Sequence, residues 1–224
     1  MSIIIGTKGD DLLLGYAGND FFNGGAGDDI LFGGAGDDVL NGGEAHDFFD
    51  EETNPYDANG ADVLFGGSGN DLLAGENGND TLIGGVGDDR LEAGLGNDIL
   101  WLGQGNDTFW YIPSDDNGDR DGGRDIVGDF THGQDRFLID VYHDVEFPGD
   151  FDTNGDGRIS DADAFAAVRM VEHNGARLEA LVLDMGGFLG WTDGASVAFL
   201  GVDEMTFAVM DDDQPLGVET WMLT

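Results

Sequence analysis

The chain has 224 residues, with 47 acidic side chains against 8 basic ones and a formal net charge of -39. Asp supplies 37 of the acids, Gly accounts for 40 residues, and Cys is absent. A phosphate-binding surface is excluded, because it needs Lys and Arg patches. An anionic membrane would repel the chain, and disulfides and thiolate metal sites are ruled out. Plain disorder does not fit a chain that is 40% apolar with 15 Phe.

A charge of this size opposes any compact state unless something offsets it. Asp is the short carboxylate favoured in tight turns and as a hard-cation ligand. The composition therefore points to divalent cations, Ca2+ above all. The alternative is a solvated acidic surface, and spacing has to separate the two.

The opening residues, Met1 to Gly6, have no basic segment and no long apolar one, so a cleaved signal peptide is not expected there. No apolar run reaches the ~18 residues of a membrane span. The best stretch, near Val197 to Met210, is broken by Asp203 and Glu204.

From Gly6 the sequence falls into nine-residue units, G-G-x-G-x-D-x-U-x, where U is a large apolar residue. Units start at Gly6, Gly15, Gly24, Gly33 and Gly42. After an inserted Glu51 to Tyr56 they resume at Asp57, Gly66, Gly75, Gly84, Ala93 and Leu102. The sixth position is always Asp: Asp11, Asp20, Asp29, Asp38, Asp47, Asp62, Asp71, Asp80, Asp89, Asp98 and Asp107. The eighth is always large and apolar: Leu13, Phe22, Leu31, Leu40, Phe49, Leu64, Leu73, Leu82, Leu91, Leu100 and Phe109. Ile4 fits the eighth position of a preceding half-unit.

The first six residues of a unit are turn formers, and x-U-x is a very short strand that sends U to one face. One unit cannot bury its own U, whereas stacked units share a continuous core. Two turns and two strands make one 18-residue coil, so alternate units stack. This places Asp11, Asp29, Asp47, Asp71, Asp89 and Asp107 along one edge. Asp20, Asp38, Asp62, Asp80 and Asp98 line the other. Successive carboxylates would sit about 4.8 Å apart and repel. Ca2+ between them reverses the sign, with turn carbonyls completing its 6–8 oxygens.

These repeats resemble the RTX family, the haemolysin-type calcium-binding repeats. The resemblance implies a parallel β-roll, with Ca2+ held in the turns by the sixth-position Asp and by turn carbonyls. It also implies export from a Gram-negative bacterium by type I secretion, with an uncleaved C-terminal signal. Ala45 and His46 break the pattern in the fifth unit, and Asp57, Ala58 and Asn59 break it in the sixth. Calcium sites touching Asp47 and Asp62 are therefore expected to be weaker or missing.

Gly density falls after residue 110. Gly122 to Phe130 and Gly133 to Asp140 resemble the segment that closes the roll in serralysin-type RTX proteins. Leu181 to Asp184 and Ser196 to Val202 read as later strands of that cap. The expected fold class is all-β: a parallel β-roll over residues 1–110, then a mixed, β-rich cap and secretion signal over 111–224 with one short helix.

A second metal motif lies in residues 152–163, which fit EF-hand loop spacing. Asp152, Asn154 and Asp156 stand at positions 1, 3 and 5, with Gly157 at the sharp turn. Arg158 offers its carbonyl, Ser160 stands at position 9, and Asp163 takes position 12. Asp at position 12 is more like dockerin loops than EF-hands. An exit helix is expected from Asp161 to about His173, with Phe165, Val168 and Val171 on one stripe.

No H-E-x-x-H or G-x-S-x-G motif is present, and the four His are scattered. With repeats starting at residue 6, no catalytic domain is expected ahead of them. Outward strand positions Leu12, Leu14, Ile30, Phe32, Phe48 and Leu72 are expected to share one sheet face. That face is a candidate contact for a second copy or another surface protein. The leading reading is a secreted, non-enzymatic calcium-binding protein that folds on Ca2+ and serves in extracellular structure, surface-layer adhesion or assembly. The alternative is a calcium-dependent accessory module, or a hydrolase or epimerase with its site in residues 111–224.

Overall fold

A computed structural model describes residues 1–43, 60–111, 123–131, 134–141, 158–159, 166–173, 176–185, 195–201, 205–209 and 219–223. In the first half each x-U-x triplet is a strand. These are β1 (Ile3–Ile5), β2 (Leu12–Leu14), β3 (Phe21–Asn23), β4 (Ile30–Ala35), β5 (Val39–Asn41) and β6 (Val63–Ser68). They continue as β7 (Leu72–Ala74), β8 (Thr81–Val86), β9 (Arg90–Glu92), β10 (Ile99–Gln104) and β11 (Thr108–Tyr111). Odd-numbered strands stack in parallel in one sheet and even-numbered strands in a second. The roll is thus a two-sheet solenoid, as its period predicts.

The register is set by the eighth position. Phe22 pairs with Leu40, Leu40 with Leu73, Leu73 with Leu91 and Leu91 with Phe109. In the other sheet Leu13 pairs with Leu31, Leu31 with Leu64, Leu64 with Leu82 and Leu82 with Leu100. From Phe22 onward all of these side chains are fully buried, because a one-residue slip would turn each of them to solvent. Each buried Leu contributes about 2 kcal/mol of transfer free energy. Ile4 and Leu13, in the first coil, are only partly buried against this core.

Strands β12 (Arg124–Val127) and β13 (Arg136–Val141) each add one more parallel rung, pairing with β10 and β11. The remaining strands are β14 (Arg158–Ile159), β15 (Ala166–His173), β16 (Ala176–Asp184), β17 (Ser196–Leu200), β18 (Met205–Val209) and β19 (Glu219–Leu223). After β12 comes parallel β17, followed by antiparallel β16 and β15. After β13 come antiparallel β19 and β18, with β14 beyond. The change from parallel to antiparallel covers the roll's last coil. Phe137 joins the two parts, with ring centroids 5.1 Å from Phe109 and 5.2 Å from Phe199.

Two expectations need correction. Residues 166–173 are strand β15 rather than the end of a helix, with Val168 and Val171 in antiparallel register with Leu181 and Leu178 of β16. The β-branched valines suit the strand, and Asn174-Gly175, the strongest short hairpin signal, lies between β15 and β16 in sequence. The stacking order also changes at the insertion. β4 pairs with β6 and β5 with β7, so Asp29 is followed by Asp62, and Asp38 by Asp71. Asp47 and Phe48 lie outside the described residues.

Candidate metal centre

Two edges of the roll are built from the six-residue turns. In the turn from Gly66 to Asp71, Gly67 and Gly69 hold φ of +112° and +129°, angles that residues with a Cβ adopt only at a cost. That backbone folds Asp71 back over Gly66. The same geometry recurs at Gly25 and Gly27, Gly34 and Gly36, Glu76 and Gly78, Gly85 and Gly87, and Gly103 and Gly105, and it fixes where the sixth-position carboxylates of those turns point.

One carboxylate oxygen of each Asp belongs to a ladder. The Asp11 N–H donates to Asp29 Oδ1 (2.8 Å), Asp29 N–H to Asp62 Oδ1 (2.7 Å), Asp62 N–H to Asp80 Oδ1 (2.8 Å) and Asp80 N–H to Asp98 Oδ1 (2.8 Å). Along the other edge, Asp20 N–H donates to Asp38, Asp38 to Asp71, Asp71 to Asp89 and Asp89 to Asp107, at 2.7–2.9 Å. At the N-terminal end, the Ser2 N–H plays this part for Asp20 and holds its carboxyl below the usual range.

The second oxygen is different. Oδ2 of Asp29, Asp38, Asp71, Asp80, Asp89 and Asp107 is buried and accepts no hydrogen bond. A buried charged oxygen without a partner is costly, and native structures leave few. These oxygens face a cradle emptied by glycine. A Cβ on Gly66 would lie 2.6 Å from both Asp71 Oδ2 and the carbonyl oxygen of Gly84 in the next coil. At Gly75 the corresponding oxygens are Asp80 Oδ2 and the Ala93 carbonyl, both at 2.5 Å. A carboxylate oxygen of one turn and a carbonyl of the next thus converge on one small space.

Burial also shifts the ionisation of these groups. Desolvation pushes Asp80 up to about 8, Asp89 to about 7, and Asp62, Asp71 and Asp107 to about 6. It raises Asp29 and Asp38 as well. Neighbouring carboxylates on the ladder add to the rise, and the backbone N–H bonds partly counter it. Asp80 and Asp89 thus resist ionisation near neutral pH, and a bound cation would favour their charged form.

Among the described residues, no three carboxylate or imidazole side chains gather at one point. The donor set is one carboxylate oxygen per turn plus backbone carbonyls. It contains no nitrogen or sulfur, and it suits a hard, high-coordination cation such as Ca2+ rather than zinc.

Residues 3–31, 17–49, 56–91 and 74–109 match the family described as the RTX calcium-binding nonapeptide repeat, in four copies. The chain carries RTX calcium-binding nonapeptide repeats. Repeats of this family bind multiple Ca2+ ions, and the unpartnered Oδ2 row is where this chain's donors fit them. No curated protein matches the chain significantly.

Of the other expected ligands, Asp47, Asp152, Asn154, Asp156, Ser160 and Asp163 lie outside the described residues. Arg158 lies in β14, where Arg158–Ile159 pair with Thr206 and Met205. Asp62, expected in a degenerate unit, occupies a full rung of the ladder.

The structure also adds two carboxylates beyond the eleven units. Asp98 N–H donates to Asp125 Oδ1 and Asp107 N–H to Asp135 Oδ1, both at 3.1 Å. Both carboxylates are buried. Their signal is the D-x-U triplet, Asp125-Ile126-Val127 and Asp135-Arg136-Phe137, which survives after the glycines are lost.

Proposed function

We propose that this is a secreted RTX protein that folds on Ca2+ and serves as an extracellular structural, adhesion or assembly component rather than as an enzyme. The observation that carries the reading is the row of buried, unpartnered Asp Oδ2 atoms beside turn carbonyls. With Ca2+ in the turns, the ladder becomes a chain of ion bridges between coils. Without it, a net charge of -39 opposes the fold. Where calcium is scarce, as in a cytosol, the chain stays extended and fit for type I export. Outside the cell it folds.

The contact surface in this reading is the outer face of the even-numbered sheet. Leu12, Ile30 and Val63 form one column, and Leu14, Phe32 and Phe65 form the next. Val63 therefore follows Ile30, where sequence parity put Phe48, and Phe65 follows Phe32, the two rings stacking with centroids 4.5 Å apart. Leu72 lies in the other sheet. Ca2+ neutralises the edges flanking this face, so association with a second copy or another surface protein would depend on calcium.

Circular dichroism during a calcium titration, followed by light scattering, tests both parts. The expected result is β structure that appears with Ca2+ and disappears with chelator. A β-rich spectrum indifferent to chelator refutes calcium-coupled folding, and a monomer at saturating Ca2+ removes self-assembly.

A further inference from the structure

The turns are not equivalent, and the second residue of each turn marks the difference. Wherever a turn Asp has a buried, unpartnered Oδ2, residue two has a left-handed backbone. The pairs are Gly25 with Asp29, Gly34 with Asp38, Gly67 with Asp71, Glu76 with Asp80, Gly85 with Asp89, and Gly103 with Asp107. Glu76 is the only non-glycine with positive φ among the described residues, at +71°. A side chain held there is strained, yet the turn keeps this shape.

The turns at the two ends of the roll have a different form. Thr7 N–H donates to Asp11 Oδ2 at 2.6 Å, and the Thr7 hydroxyl donates to the same oxygen at 2.8 Å. At the far end, Thr131 N–H donates to Asp135 Oδ2 at 2.7 Å. Both Thr residues stand four positions before their Asp, as residue two does in the uninterrupted turns. Neither has the left-handed backbone of the interior turns. The oxygen that is left without a partner inside the roll is thus already occupied at the start of the row that begins with Asp11 and at the end of the row that closes with Asp135.

We infer that the ions are held by the turns whose second residue is left-handed, and that Thr7 and Thr131 close the terminal turns without metal. This rests on the calcium-binding reading above and adds to it a rule for which turns bind. The first turn has the next coil's carbonyl, since a Cβ on Gly6 would meet Gly24 O and Asp11 Oδ2, but no coil precedes it to supply further oxygens. A threonine cap satisfies the carboxylate from within its own turn. It lets the rows end without exposing a half-formed site.

The test is the number of ions bound by the full chain, from equilibrium dialysis against Ca2+ with atomic absorption, and with circular dichroism as the check on folding. Thr7→Gly frees the backbone of the first turn to adopt the interior form, and it should bind one ion more than the wild type. Gly34→Thr installs the closed form inside the roll and should bind at least one fewer. Anomalous scattering from calcium-grown wild-type crystals gives the same answer without a variant: density in the interior turns and none beside Asp11 Oδ2 or Asp135 Oδ2. An unchanged count in Thr7→Gly, or an ion beside Asp11 Oδ2, overturns the inference while leaving calcium binding intact. A wild type that binds no Ca2+ overturns the reading beneath it.

Discussion

Protons should partly replace calcium. In the metal-free roll, burial holds Asp80 near 8 and Asp89 near 7, against an ordinary value of 3.8. At pH 7 the unfolded chain releases these protons while the folded roll keeps them or ionises at a cost. The raised value of Asp80 alone opposes the metal-free fold by about 4 kcal/mol at pH 7. That is comparable with the roughly 5–15 kcal/mol that stabilises a typical domain. The folded state binds more protons than the unfolded state, so the fold is favoured as pH falls. The penalty is complete above about pH 8, shrinks as pH drops through the values of 8, 7 and 6, and is gone below 3.8. Chelator-treated protein should therefore gain β structure by circular dichroism between about pH 8 and pH 4. At saturating Ca2+ the same spectrum should vary little over the upper part of that range. Calcium binding near pH 5, where the protonated metal-free roll has formed, should release protons, seen as a buffer-dependent heat in titration calorimetry. A metal-free chain equally unstructured at pH 8 and pH 5, or a roll formed at pH 5 whose calcium binding releases no protons, would refute the reasoning.

Three further outcomes follow from particular residues. Gly66→Ala puts a Cβ 2.6 Å from Asp71 Oδ2 and Gly84 O; it should raise the calcium midpoint of folding and lower the bound-ion count. Leu73→Ala opens a cavity in a fully buried stack and should destabilise the calcium-loaded roll by about 2–5 kcal/mol in denaturant unfolding. Phe32→Ser with Phe65→Ser removes the stacked pair from the outer sheet face. It should abolish calcium-dependent association in light scattering while leaving the calcium midpoint unchanged.

The roll was legible because its information is local and repeated. An invariant Asp and an invariant apolar residue, two positions apart, determine the coil, the register and the row of carboxylates. The cap was less legible, because its strands are specified by partners far away in sequence. Val168 and Val171 satisfy a helical stripe as well as a strand, and only pairing with Leu181 and Leu178 decides between them. Asp125 and Asp135 were missed for a related reason. Their turns have lost the glycine pattern, and what keeps them in the ladder is the backbone N–H of Asp98 and Asp107. The split between ladder oxygen and open oxygen was not visible in the sequence at all, since both belong to one carboxylate.

The insertion shows which parts of a turn matter for the ion row. Asp29 N–H reaches Asp62 Oδ1 across 33 residues, whereas Asp11 N–H reaches Asp29 Oδ1 across 18. The excess of 15 lies between Gly43 and Gly60 in sequence. A Cβ on Gly43 would meet Gly25 O, and a Cβ on Gly60 would meet Gly27 O. Gly42 and Gly43 therefore serve as positions one and two, and Gly60 and Asp62 as positions four and six. Residues 44–59 stand where other turns have a single third residue. That position is Ala26, Ala35, Ser68, Asn77 or Val86 elsewhere, so no side-chain type is required of it. The glycines that touch the previous coil are kept on both sides of the break, although Gly43 lacks the left-handed backbone of the other interior turns. The ladder crosses it with bonds of 2.7 and 2.8 Å, equal to those elsewhere. Sequence parity counted the broken unit as a rung. The sheets instead pair β4 with β6 and β5 with β7, so the next rungs after Asp29 and Asp38 are Asp62 and Asp71.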